Sequence, residues 1–122
     1  IAAELADGAN IPADDALRRR IDMLRRACAA IGRDPAEVEI TVLDVPVVGT
    51  DRDDIAARVE RLRGRTRAAT FAARHHAGTP AKHAHRYRDL AAAGVGTVFL
   101  ALPDLRDADD LARCTPLLAA LR

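Results

Sequence analysis

Ala93-Gly94-Val95-Gly96-Thr97-Val98-Phe99-Leu100-Ala101-Leu102-Pro103-Asp104 is the stretch that decides how this chain is read. Val95 to Leu102 is a near-continuous apolar run, the pattern of a strand covered on both faces. Gly94 stops the helical pattern before it, Pro103 ends the run, and a further helical pattern follows. A strand set between helices in this way belongs to a parallel sheet. Parallel neighbours need a crossover that runs back along the sheet, and a helix is the usual crossover.

The same pattern repeats along the chain. Gly78-Thr79-Pro80 is a helix start, with Thr as cap and Pro at the first position, leading into Ala84, Tyr87, Leu90 and Ala91. Arg65 to His76 reads as helix, and Gly64 separates it from a helix capped at Thr50-Asp51 with Ile55, Val59 and Leu62 inward. Glu37 to Val48 reads as a strand with Val38, Ile40 and Val42 on one face. Asp44 follows on that face. It either points inward or uses a bulge at Pro46 to reach solvent, and the second is favoured because an unpaired buried carboxylate is costly. Pro46 cannot donate a ladder hydrogen bond, so a bulge or an edge is expected there.

Leu17, Ile21, Leu24, Cys28 and Ile31 form the stripe of an earlier helix that opens near Pro12 to Asp15 and ends at Gly32. Ile1 to Leu5 continues an apolar helical stripe without a cap. Asp7-Gly8-Ala9-Asn10-Ile11-Pro12 is a strand-and-loop signal. Asp107 caps a last helix carrying Leu111, Cys114, Leu118 and Leu121, with a bend before Pro116.

Strands are therefore predicted near residues 6–11, 38–48 and 95–102. The expected fold class is α/β: residues 1–122 as the C-terminal segment, about three parallel strands with their helices, of a (β/α)8 barrel, since a complete barrel uses roughly 250 residues. On that expectation most of the site lies upstream of Ile1, and apolar sheet edges are left uncovered. Such edges predict self-association, as in a homo-oligomer.

Composition narrows the function classes. Apolar residues are 49% and charged residues 30% of 122, which describes a globular chain, while aromatics at 2% leave an aliphatic, Ala-rich core with few platforms for stacking bases. Net charge is +1, from 19 basic and 18 acidic residues that interleave along the chain. The densest basic stretch, Arg61, Arg63, Arg65 and Arg67, has only Phe71 as an aromatic neighbour, which argues against nucleic acid as partner. Cys28 and Cys114 stand apart on apolar helical positions, so buried free thiols of a reducing cytoplasm are expected. No apolar run has membrane-spanning length.

Three segments in order resemble the C-terminal part of the luciferase-like monooxygenase superfamily: Leu5-Ala6-Asp7-Gly8-Ala9-Asn10, Gly78-Thr79-Pro80, and Ala93 to Asp104. Within it, the chain is most similar to the actinobacterial oxidoreductases that use the deazaflavin coenzyme F-420. The likeness runs along essentially the whole chain, including Ala30-Ile31-Gly32-Arg33-Asp34-Pro35. It implies a barrel that binds F-420, or alternatively FMN, at the C-terminal ends of its strands. It also implies hydride transfer to or from a small organic substrate, in some members as a monooxygenase. Members often carry Trp after the Asp-Gly pair, where this chain has Ala9.

The resemblance makes Asp7, Gly8 and Asn10 the cofactor-binding candidates. Read from the residues alone, Asp7-Gly8 sits where a barrel strand runs out; Gly allows close backbone approach, and Asp and Asn offer an acceptor and an amide. The competing reading is a turn followed by capping from Asn10. For an anion, the start at Gly78-Thr79 stands out. Its first turn holds no acid and His75, His76 and Lys82 lie near, whereas Asp53, Asp54, Asp109 and Asp110 fill the other helix starts. His76, Gly78 and Thr79 are the candidates there, against ordinary Thr capping.

His75, His76, His83 and His85 lack a converging spacing, so surface histidines on an exposed helix are expected instead of a metal site. No residue in the chain has the setting of a catalytic acid, base or nucleophile. Two further readings remain: an FMN-dependent monooxygenase on the same barrel, and a non-catalytic α/β remnant acting as a subunit.

Overall fold

The computed structural model describes residues 1–122. In chain order the elements are α1 (Ala2–Leu5), β1 (Gly8–Asn10), α2 (Leu17–Ala30), a 3-10 turn at Pro35–Glu37 and β2 (Glu39–Asp44). They continue as α3 (Arg52–Leu62), α4 (Ala68–Arg74), α5 (Pro80–Ala93), β3 (Thr97–Leu100), α6 (Ala108–Ala112) and α7 (Thr115–Ala120). The strands are parallel and lie in the order β1-β2-β3. Two compact units result: residues 1–44 with 90–99, and residues 45–89 with 100–122. No helix is long and apolar enough to cross a membrane.

In the first unit, β1 and β2 pair with Gly8 opposite Glu39, Ala9 opposite Ile40 and Asn10 opposite Thr41. Glu39 N–H donates to the Asp7 carbonyl (2.9 Å) and Ile11 N–H to the Thr41 carbonyl (2.8 Å), closing the ladder at both ends. Val38, Ile40 and Val42 are buried, as are Leu17, Ile21 and Cys28 of α2. Ala3, Cys28 and Val38 form a packed cluster with Ala9 and Leu24 against it. Gly94 has φ 108°, a backbone conformation that side-chain-bearing residues rarely adopt, so the turn into β3 requires glycine.

Several expectations are corrected in this unit. The strands are shorter than predicted, and Asp7-Gly8 lies where β1 begins, not where it runs out. Asp44 does not reach solvent. It keeps the buried phase of Val38, Ile40 and Val42, and an interaction there offsets its desolvation. Ile31, placed on the α2 stripe, is exposed, because the helix ends at Ala30 and Ile31 leaves the helical phase. β3 is not covered on both faces: Phe99 is 56% exposed, as is Leu43 of β2. That open face also carries two polar pairs, Thr41 Oγ1 to Asn10 Oδ1 (3.3 Å) and Thr97 Oγ1 to Glu39 Oε1 (2.5 Å).

In the second unit, the Asp51 carboxylate accepts from the Asp53 and Asp54 N–H groups and caps α3 as expected. The chain at Pro46 neither bulges nor carries β2 onward. The ladder stops at Asp44, and Val48 instead forms a parallel bridge with Gly78. Val47 N–H donates to the His75 carbonyl (3.1 Å), Gly78 N–H to the Val47 carbonyl (3.0 Å) and Gly49 N–H to the Gly78 carbonyl (3.1 Å).

His83 is buried, contrary to the expectation of surface histidines. It shares the α5 face of Ala84 and Tyr87, and its Nε2 lies 3.2 Å from the Val47 carbonyl oxygen. His75 Nδ1 lies 2.8 Å from the Val45 carbonyl, and His85 is exposed. The last helix is broken into α6 and α7 just before Pro116. The break turns Cys114 and Leu117 inward and leaves Leu111, Leu118 and Leu121 exposed. Both cysteines are buried free thiols.

Ile21 and Met23 test the two faces of α2, since Ile21 is 1% exposed and Met23 62%. Ile21→Ala lowers unfolding stability by about 2–5 kcal/mol, and Met23→Ala changes it by less than about 0.5 kcal/mol. Urea denaturation followed by circular dichroism reads both.

Candidate functional site

The second unit contains a cleft of about 450 Å³ at the head of α5. Thr50, Thr79, Pro80, Ala81, Ala112, Arg113 and Pro116 line it. Its position follows from local sequence. Pro80 takes the first turn of α5 without wasting an N–H, and Thr79 Oγ1 accepts from Lys82 N–H (3.4 Å). The Val48–Gly78 bridge pins the residues before that start. Gly78 is buried, and a Cβ on it would come within 2.6 Å of Lys82 Cδ. Lys82 folds back so that Nζ donates to the Ala77 carbonyl (3.2 Å).

Beside the cleft lies a charge network around the buried Asp104, which local sequence pattern does not announce. The Asp104 side chain is 2% exposed and takes Arg58 Nη1 at 2.6 Å and Arg113 Nη2 in a short contact, with Arg61 Nη2 at 3.9 Å. Arg58 Nε also holds Asp54 (3.0 Å), and Arg113 Nη1 holds Asp110 (3.0 Å). The Thr50 N–H donates to Asp54 (2.9 Å), which ties one wall of the cleft to the network. Sequence contained one usable signal for it. Asp104 follows Pro103 after the apolar run, and two acids, Asp54 and Asp110, stand at helical spacing from Arg58 and Arg113, but nothing marked which arginine would turn inward.

Burial works to raise the Asp54 carboxyl, and hydrogen bonds from Arg58 and Thr50 outweigh it, leaving Asp54 below the ordinary carboxylate range. The Arg106 N–H, with burial opposing and the Arg113 charge assisting, holds Asp110 low as well. Burial pushes the Cys114 thiol up against the opposing Arg113 charge, so this thiol is a poor nucleophile.

The sequence candidates separate accordingly. Thr79 lines the cleft; Gly78 lies buried behind it, and His76, with φ 48°, belongs to the loop that leads in. The first turn of α5 carries no acid, so its amide ends face no competing carboxylate of their own helix. In the first unit, Asn10 sits at the carboxyl end of β1 and pairs with Thr41 through Oδ1, leaving its amide Nδ2 as a donor on the open face. That suits the polar edge of a flavin-like ring. Gly8 does not supply a cradle, because a Cβ on it would meet the Glu39 carbonyl oxygen at 3.4 Å, and Asp7 stands at the amino end. Among the three β1 candidates, the fit to a ring cofactor therefore rests on Asn10. No group of three or more His, Cys, Asp or Glu side chains is arranged to hold a metal ion.

Asp104→Asn removes the carboxylate shared by the half-buried Arg58 and the buried Arg113, leaving them only Asp54 and Asp110, and costs about 3–5 kcal/mol in urea unfolding, whereas Glu37→Gln on the surface costs about 0–1 kcal/mol. The network also sets an acid limit. Asp54 and Asp110 titrate lower folded than unfolded, so their stabilisation is full above the ordinary value of 3.8 and is lost as pH falls through their depressed folded values. Thermal melts between neutral pH and pH about 2 show the decline beginning only near and below the ordinary carboxylate range, and Asp110→Asn flattens it. No protein-family model matches the chain, and no curated protein matches it significantly.

Proposed function

We propose that this chain belongs to an oxidoreductase of the luciferase-like class that uses coenzyme F-420, or alternatively FMN, to transfer hydride to or from a small organic substrate. One observation carries the reading. Two of the segments that bear the resemblance fall on β1 and β3 and the third on the start of α5, and the parallel sheet they belong to has a spatial order, β1-β2-β3, that follows sequence order. A barrel wall is wound in that way, while a doubly wound sheet reverses order at its switch point.

The bound cofactor supplies the hydride-carrying ring; this chain contributes binding and orientation. Asn10, with Thr41 beside it, offers an amide donor to a polar ring edge. Separately, within the second unit, the acid-free head of α5 offers the Ala81 N–H to a phosphate of either a cofactor or a substrate, and the cleft there has room for one. Arg113 adds little net charge, since Asp104 and Asp110 already match it.

Because most of the site is expected upstream of Ile1 and this segment alone is expected to be inactive, titration of the full-length protein with F-420 and with FMN, followed by absorbance and fluorescence, tests the assignment. Saturable binding of one of them is expected; binding of neither sinks it. Thr79→Asp then tests the phosphate site, because it keeps a capping oxygen and adds negative charge. Capping alone predicts unchanged affinity, and an anion site predicts about tenfold weaker binding at retained stability.

A further inference from the structure

The loop from Arg63 to Arg67 and the helix after it have no part in the cofactor reading, yet they combine features that fit a modifying enzyme. Arg65-Thr66-Arg67-Ala68-Ala69-Thr70-Phe71 places arginines three and five residues before the exposed Thr70 hydroxyl and an aromatic ring directly after it. We propose that Thr70 is the phosphoryl acceptor for an arginine-directed protein kinase.

The geometry makes the segment accessible. Arg65 to Arg67 is outside helix, with Arg67 at φ −60° and ψ 137° and no side-chain cap on α4. The helix has 7 residues, and none of them is buried. So short a helix gains little from its own hydrogen bonds, and opening Ala68 to Thr70 into an extended strand is a low-cost local event. Once extended, Arg67 and Arg65 stand ~10 and ~17 Å from the acceptor, spaced to reach separate carboxylates in an acidic substrate groove. Phe71 must leave its contact with His75, at 4.3 Å between ring centres, and becomes the apolar anchor after the acceptor.

Thr66 has the same arginine spacing, from Arg61 and Arg63, but not the same availability. It is half-buried, Arg63 is tied to Glu60 at 2.5 Å, and the Arg63 Nη1 donates to the Thr66 carbonyl at 3.0 Å. The residue after Thr66 is Arg67, where Thr70 has Phe71.

In the reaction, Thr70 Oγ bonds to the γ-phosphorus of a nucleoside triphosphate while the bond from that phosphorus to the β–γ bridging oxygen breaks. The nucleoside diphosphate leaves, and the hydroxyl proton passes to the kinase's catalytic carboxylate. The product carries about −1.5 to −2 charges between Arg67, three residues before, and Arg74, four after. Arg74 stands one turn beyond Thr70 on α4 and Arg67 precedes the helix at its cap position, so the phosphate gains charge-assisted partners when α4 re-forms.

The test incubates the folded protein with an arginine-directed Ser/Thr protein kinase and labelled Mg-ATP, and maps label by mass spectrometry. One phosphate per chain on Thr70 is expected. Label is lost in Thr70→Ala and retained in Thr70→Ser and Thr66→Ala. It forms at least about tenfold more slowly in Arg65→Ala with Arg67→Ala. Circular dichroism establishes that each variant is folded, and an Arg65→Lys, Arg67→Lys pair recovers part of the rate. Label on Thr66 in place of Thr70, label unaffected by Thr70→Ala or by the arginine pair, or no label on the native protein overturns the proposal.

Discussion

A parallel strand cannot reach its neighbour through a tight turn, and that constraint organises this chain. β1 needs α2 before β2 can lie beside it, and the passage from β2 to β3 takes up residues 45–96. The short paired stretch from Gly8 to Asn10 against Glu39 to Thr41 would be weak alone. It persists because α1, α2 and the buried side of β2 share one apolar cluster around Cys28 and Val38. An Ala-rich, nearly ring-free composition suits that role, since small side chains let helix and sheet approach closely.

The second unit solves a different problem. Its apolar side chains are supplemented by charge, with Asp104 held between arginines from α3 and from the residue after α6. Burying ions is costly, and the arrangement persists only because every carboxylate has a donor. Asp54 meets Arg58 and the Thr50 N–H, and Asp110 meets Arg113 and the Arg106 N–H. The network therefore positions Thr50 and Arg113, two walls of the cleft at the head of α5. Stability and the shape of the candidate site rest here on the same hydrogen bonds.

The apolar run at β3 predicts cover on both faces, but Thr97, Val98 and Leu100 are half-buried and Phe99 is exposed. Leu43 and Phe99 stand exposed beside the Asn10–Thr41 and Glu39–Thr97 pairs. That face therefore has mixed polar and apolar character, with Asn10 on it at the carboxyl end of β1 and Asp7 ahead of the strand's amino end.

Local chemistry in the sequence was enough to determine the parallel α/β alternation, the Asp51 cap, the start of α5 at Thr79-Pro80 and the stops at Gly32, Gly64 and Gly94. Each depends on the φ, the missing N–H or the short polar side chain of a residue at that very position. Only the tertiary structure decided where β2 ends, which of the four histidines is buried, that Asp44 stays inside, and that Asp104 binds Arg58 and Arg113. These outcomes depend on partners 36 and 46 residues away, as for His83 with Val47 and Arg58 with Asp104, and periodicity cannot report a pairing across that separation. Pro46 illustrates the division. Its missing N–H announced that the ladder must fail, but the Val48–Gly78 bridge, made by residues distant in sequence, determined where the chain went next.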